Sequence, residues 1–207
     1  MTKLAFDWDD AVAHVSRRDK RIGRVIRNAG DIRLEITPYR SPFLYLMRAI
    51  IYQQLSGKAA GTIHGRVIDL FPTKRQVTPE RLLKLKNEQL RGAGVSGGKT
   101  KALRDLARKA AAGEVPGFAK LRRMDDEEVI ECLTAIHGIG RWTVEMLLMF
   151  QLGRPDVLPI HDLGVRKGFA LAHKLKEMPT PKELESLADK WRPFRSVGSW
   201  YCWRALE

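Results

Sequence analysis

The sequence is short of thiols: among 207 residues only Cys132 and Cys202 carry one. Two cysteines build neither a disulfide framework nor a four-cysteine metal or iron–sulfur site, and their scarcity suits a reducing compartment. The five histidines stand at no HxxxH or Cys/His ligand spacing, so a catalytic transition metal has no signature here. Apolar runs long enough to span a bilayer are missing, and the opening residues Met1 to Asp10 lack the basic-then-apolar layout of a signal peptide. A cytoplasmic or nucleoid location with no membrane partner is the expectation. Acidic residues are in deficit as well, 24 Asp and Glu against 37 Lys and Arg, for a formal net charge of +13. That imbalance favours a polyanionic partner, nucleic acid first, over an acidic small molecule. The same charge would also serve solubility alone.

Strand patterns are confined to Ile32-Arg-Leu-Glu-Ile36, so the fold is expected to be all-α with at most a very short β segment. Ser41-Pro42 reads as an N-cap followed by proline at the first helical position, and the apolar run behind it carries a helix to about Gln54. Further helices are expected over about Gly57 to Leu70, between Pro79 and Asn87, and from Ser96-Gly97-Gly98 to about Ala112. Asp125 with Glu128 resembles a capping box and opens the helix that enters a two-glycine turn; the helix after that turn ends near Gly153-Arg154-Pro155. Leu163 to about Lys174, Thr180-Pro181 through Trp191, and a stretch from Ser196 complete the helical pattern.

The segment Leu133 to Leu148 sets an apolar helical run, the turn Gly138-Ile139-Gly140, and a second apolar run end to end, a helix-hairpin-helix pattern. Glycines at 138 and 140 can take positive φ and leave no side chain between their N–H groups and an approaching anion, and the following helix adds its dipole. Many αα-hairpins turn through glycine for steric reasons alone. Asp162, in a proline-containing loop at a helix start, is by position an N-cap, yet it is also a lone carboxylate downstream of an anion cradle.

Five ordered segments resemble the helix-hairpin-helix superfamily of DNA glycosylases, in its alkylpurine branch. They are Met47-Arg-Ala-Ile-Ile-Tyr-Gln-Gln-Leu-Ser56, Leu90-Arg-Gly-Ala-Gly-Val-Ser96 with Lys99 after it, Ile136-His-Gly-Ile-Gly-Arg-Trp-Thr143, Leu158-Pro-Ile-His-Asp162 and Trp191-Arg-Pro-Phe-Arg-Ser196. The resemblance implies a two-lobed fold with a cleft between lobes and no separate N-terminal β domain. Residues 1–40 and about 175–207 would lie with the hairpin side, 41–112 would form a six-helix-type lobe, and 113–174 would carry the hairpin and the aspartate, with a split near 112–124. A monomer acting on double-stranded DNA that contains alkylated bases is implied.

The resemblance also assigns roles. Asp162 falls on the catalytic aspartate, and Trp142, Trp203, Met146 and His161 fall in the base pocket. Met146 replaces a tyrosine of some relatives. An indole face suits an electron-poor or cationic base. Tryptophan at 142 stands where strand-nicking relatives carry a Schiff-base lysine, which implies a monofunctional enzyme using water. Gln54 aligns with the plug that fills the space of a flipped base, with Leu55 the alternative. Gln53, Ser56, Gly138, Gly140, Arg141 and Thr143 would meet the DNA backbone. No cofactor is implied for catalysis, but a Na+ or K+ ion would sit at the hairpin on the backbone carbonyls of Thr134, Ile136 and Ile139. Two rivals are a non-catalytic damaged-DNA-binding module, with Asp162 only a cap, and a glycosylase/lyase using another lysine such as Lys167. Trp200, Tyr201 and Phe194 are expected to pack the core.

Overall fold

The computed structural model describes residues 4–207; residues 1–3, the first of the 1–40 segment, lie outside the described residues. Short polar side chains set most helix starts, because their oxygens accept N–H groups that a first turn leaves without intrahelical partners. Helix α1 (Trp8–Arg18) begins on Asp7, whose carboxylate accepts the Asp10 N–H, and α2 (Lys20–Ala29) begins on Asp19. Ser41 caps α3 (Pro42–Tyr52), Ser56 caps α4 (Gly57–Ile68) and Thr78 caps α5 (Pro79–Lys84). After α6 (Asn87–Gly92), Ser96 caps α7 (Gly97–Ala111), and the single turn α8 (Phe118–Leu121) follows. The capping box that opens α9 (Asp126–Thr134) has Glu128 accepting the Asp125 N–H at 2.7 Å. α10 (Arg141–Leu147) runs into a π-helical turn, Leu148–Leu152, which stops at Gly153 with φ of 66°. Asp162 starts α11 (Leu163–His173), Thr180 starts α12 (Pro181–Ala188), and α13 (Arg195–Arg204) follows.

The fold is all-α, and among the described residues no helix is long and apolar enough to cross a membrane. Ile32 to Ile36, the one stretch with a strand pattern, is irregular: the Ile32 carbonyl accepts the Tyr201 hydroxyl at 3.2 Å and Leu34 is buried, so the alternation anchors a connector. One sequence expectation needs correction. The segment from Pro79 to Asn87 is not one helix but the end-to-end pair α5 and α6. Arg104, on α7, explains the break: its guanidinium donates to the carbonyls of Leu82 at 3.0 Å, Leu83 at 2.9 Å and Leu85, taking up the C-terminal acceptors of α5.

The chain divides into two compact units, one comprising residues up to Pro38 together with Glu145–Glu207, the other Tyr39–Val144. The boundaries fall there and not near 112–124, because the segment after α7 is tied back to α7. Lys109 donates to the Ala135 carbonyl at 2.6 Å, and the Asp105 carboxylate accepts the His137 N–H at 2.8 Å. In the contiguous unit, α3 buries Leu46, Met47, Ile50 and Ile51 and packs with α4 and α7. In the other, α11 and α13 cross so closely that a Cβ on Gly168 would lie 1.8 Å from the Cys202 carbonyl oxygen. That unit also holds the buried Asp19, 2% exposed, which accepts from His173 at 2.9 Å, Trp191 at 2.9 Å and Lys190 at 3.1 Å while capping α2. Burial raises the Asp19 pKa, but these donors outweigh it and hold the carboxyl well below the usual carboxylate range.

Candidate functional site

In the contiguous unit, α9, the glycine turn and the first residues of α10 form the hairpin. The Ile136 N–H donates to Leu133 at 3.2 Å and the Ile139 N–H donates to Ile136 at 3.0 Å, which winds the turn tightly. Gly138 has φ of 82°, and a Cβ there would meet the Ala102 Cβ of α7 at 2.8 Å, so both conformation and space require glycine. Gly140 corrects the expectation of two left-handed glycines: its φ is not positive, and a Cβ on it would meet nothing. Its missing side chain clears open space in front of α10 instead.

Gly140, Arg141 and Trp142 are exposed, Trp142 at 46%. Thr143, expected on the DNA backbone, is only 5% exposed, and its N–H is spent on the Gly140 carbonyl at 2.9 Å; its side chain belongs to the interior. Arg141 pairs with Glu127 of α9, one bond at 2.9 Å and a second shorter, and the guanidinium holds the Glu127 carboxyl below its usual range. Among the described residues no His, Cys, Asp and Glu cluster could hold a metal ion. The expected alkali-cation donors are carbonyls, and the one on Ile136 keeps a second lone pair after accepting the Ile139 N–H.

The loop after α3 lies in the same unit. Gln54 has φ of 56°, a left-handed setting that costs a residue with a Cβ about 1–2 kcal/mol. Gln54, Leu55 and Ser56 are exposed, and the Ser56 hydroxyl accepts the Ala59 N–H at 3.4 Å. Gln53 is half-buried, and its Nε2 donates to the Gly138 carbonyl at 2.9 Å. The amide expected to meet phosphate therefore braces the loop against the hairpin. Lys99 of α7 reaches the same loop: its ammonium donates to the Ile51 and Gln53 carbonyls at 2.8 and 2.7 Å, and burial lowers its pKa. In the sequence Lys99 stands out only as part of the resemblance, after Ser96. The available signal was a cation in the first turn of a helix, where the dipole disfavours it.

In the other unit, Asp162 is an N-cap and also more than one. Its Oδ1 accepts the Val165 N–H at 2.7 Å and the Trp203 indole N–H at 2.9 Å. Two donors on one oxygen fix the plane of the carboxylate. Trp203 is half-buried and stacks on Phe150, ring centroids 5.9 Å apart at 26°. Gly164 went unnoticed in the sequence: a Cβ on it would lie 2.7 Å from the Trp203 ring and 3.1 Å from Asp162 Oδ1, so the indole reaches the carboxylate only over a glycine.

The remaining residues fall in several places. His161 is exposed and Met146 is buried. Tyr201 packs the core as expected, while Phe194 and Trp200 are only half-buried. Lys167 is exposed on α11. Five residues past the cap, it lies about 7.5 Å along the helix and about 140° round it, a poor position from which to share the reaction of Asp162.

The sequence model of the HhH-GPD superfamily of base excision DNA repair proteins matches residues 47–193. The DNA-3-methyladenine glycosylase 1 of Schizosaccharomyces pombe is 37% identical over 202 residues, 95% of this chain and 87% of that protein. The solved structure of the Schizosaccharomyces pombe 3-methyladenine DNA glycosylase in complex with abasic DNA superposes with a TM-score of 0.85 at 36% identity, covering 94% of this chain and 95% of that one. A DNA-3-methyladenine glycosidase of Bacillus halodurans gives 0.84 at 37% identity, over 94% and 88% of the two chains. The family match takes in the loop after α3, the hairpin, Asp162 and Gly164, and on that extent the chain belongs to the HhH-GPD superfamily of base excision DNA repair proteins.

Proposed function

We propose that the protein is a monofunctional DNA glycosylase that hydrolyses the N-glycosidic bond of alkylated purines in double-stranded DNA and so begins base excision repair. Its substrates on this reading are 3-methyladenine and 7-methylguanine, with ethenoadenine and hypoxanthine at the edge of its range. The observation that carries the reading is the Asp162 carboxylate, held at the start of α11 by the Val165 N–H and the Trp203 indole.

Breaking the bond between C1′ and the base nitrogen leaves positive charge on the sugar. A preorganised carboxylate stabilises that charge, and it orients the water whose oxygen bonds to C1′ and whose proton it accepts. An alkylated purine that is already cationic takes the bonding electrons with less acid assistance than a neutral base needs, so one carboxylate suffices. Trp142 offers no amine to attack C1′, which supports water as the nucleophile. Gly138, Gly140 and Arg141 would hold backbone phosphate, Gln54 would fill the gap left by the flipped base, and a Na+ or K+ ion on the hairpin carbonyls would stiffen the turn. The enzyme would act as a monomer.

Asp162→Asn tests the mechanism cleanly, because an amide oxygen can still accept the capping N–H and the indole N–H. Methylated DNA incubated with the variant should release free base about a hundred- to a thousand-fold more slowly, with DNA affinity retained. Wild-type rates from Asp162→Asn would sink the mechanism. Absence of free base with the wild-type protein would favour a module that only senses damage.

A further inference from the structure

Lys99 stands in the first turn of α7 with two neutral acceptors, the carbonyls of Ile51 and Gln53, at 2.8 and 2.7 Å. The Gln53 oxygen belongs to the peptide plane joining Gln53 to Gln54. Pinning it fixes that plane, and with it the ψ of Gln53 and the left-handed φ of 56° at Gln54. The same face of α7 continues through Ala102, Asp105 and Lys109. Ala102 lies under Gly138, Asp105 accepts the His137 N–H at 2.8 Å, and Lys109 donates to the Ala135 carbonyl at 2.6 Å. Gln53 closes the frame by its bond to the Gly138 carbonyl. One rigid helix, rising 1.5 Å per residue, therefore holds both the loop and the hairpin along about 15 Å of its length.

We propose that Lys99 is the positioning residue for the inserting side chain Gln54, and that this face of α7 sets the distance between the insertion loop and the phosphate-gripping turn. The proposal rests on the glycosylase reading of both segments. A clamped loop meets its ordering cost when the protein folds rather than when a base is extracted. The advantage is largest where the leaving base is firmly paired and its partner must be met by Gln54. It shrinks where the opposite position is already empty.

Single-turnover release of one alkylated purine from two duplexes separates these cases, one with a normal partner base and one with an abasic site opposite. Lys99→Met should slow release from the paired duplex about ten-fold while changing the other by less than about two-fold, the loss expected of two charge-assisted hydrogen bonds used only for insertion. 2-Aminopurine beside the lesion should brighten less with the variant. Lys101→Met removes the same charge from an exposed neighbour and should leave the ratio of the two rates unchanged. Equal slowing on both duplexes, or no slowing, overturns the proposal. Should Lys99→Met fail to fold, Lys99→Gln is read the same way. A wild-type protein that releases no base from either duplex overturns the glycosylase reading, a result distinct from an unchanged ratio in an active enzyme.

Discussion

Asp162 shows how a side chain can satisfy two demands at once. The carboxylate was legible in the sequence as a cap or a catalyst, and the structure makes the capping oxygen the acceptor for Trp203 as well. Trp203→Phe keeps an aromatic ring against Phe150 but deletes the donor, so kcat for base release should fall about ten-fold with KM little changed. Gly164→Ala should lower kcat in the same way by displacing the indole. Single-turnover and steady-state assays on methylated duplex check both; a change confined to KM would make Trp203 only a wall for the base. The partner of Asp162 was not legible, because it is 41 residues away and the contact depends on a glycine whose necessity shows only in three dimensions.

At the scale of elements, helix starts were readable because Ser, Thr and Asp caps are local chemistry, and Ser41, Ser56, Ser96, Thr180 and the Asp125 box all act where they stand. Ends were harder. The stop between α5 and α6 depends on Arg104 from a different helix, which no local pattern announces. The hairpin carries its own restraint: Arg141, the residue assigned to phosphate, is paired with Glu127 across the turn. Glu127→Gln should remove the charge that pairs with that guanidinium and tighten binding to duplex DNA by about two- to five-fold, the scale of an exposed ion pair, with a steeper fall in affinity as salt rises. Titration at several salt concentrations checks this, and weaker binding by the variant would count against a phosphate role for Arg141.

For the molecule as a whole, the all-α class followed from the patterning, whereas the division into units did not. One unit is continuous in sequence and the other is assembled from two distant stretches joined around Asp19. The folded Asp19 carboxyl is depressed below its unfolded value, so its contribution to stability is full above about pH 4 and is lost progressively as the pH falls toward the folded value. Asp19→Asn should therefore lower Tm at neutral pH and flatten the loss of Tm between about pH 4 and pH 2. Melting curves across that range decide it; parallel curves for both proteins would remove Asp19 from the acid response. The same cluster also bears on synthesis at the ribosome. His173 and Trp191 lie 154 and 172 residues beyond Asp19, so the first two helices emerge with their buried carboxylate unmet, and the intervening unit can complete itself before they are sealed.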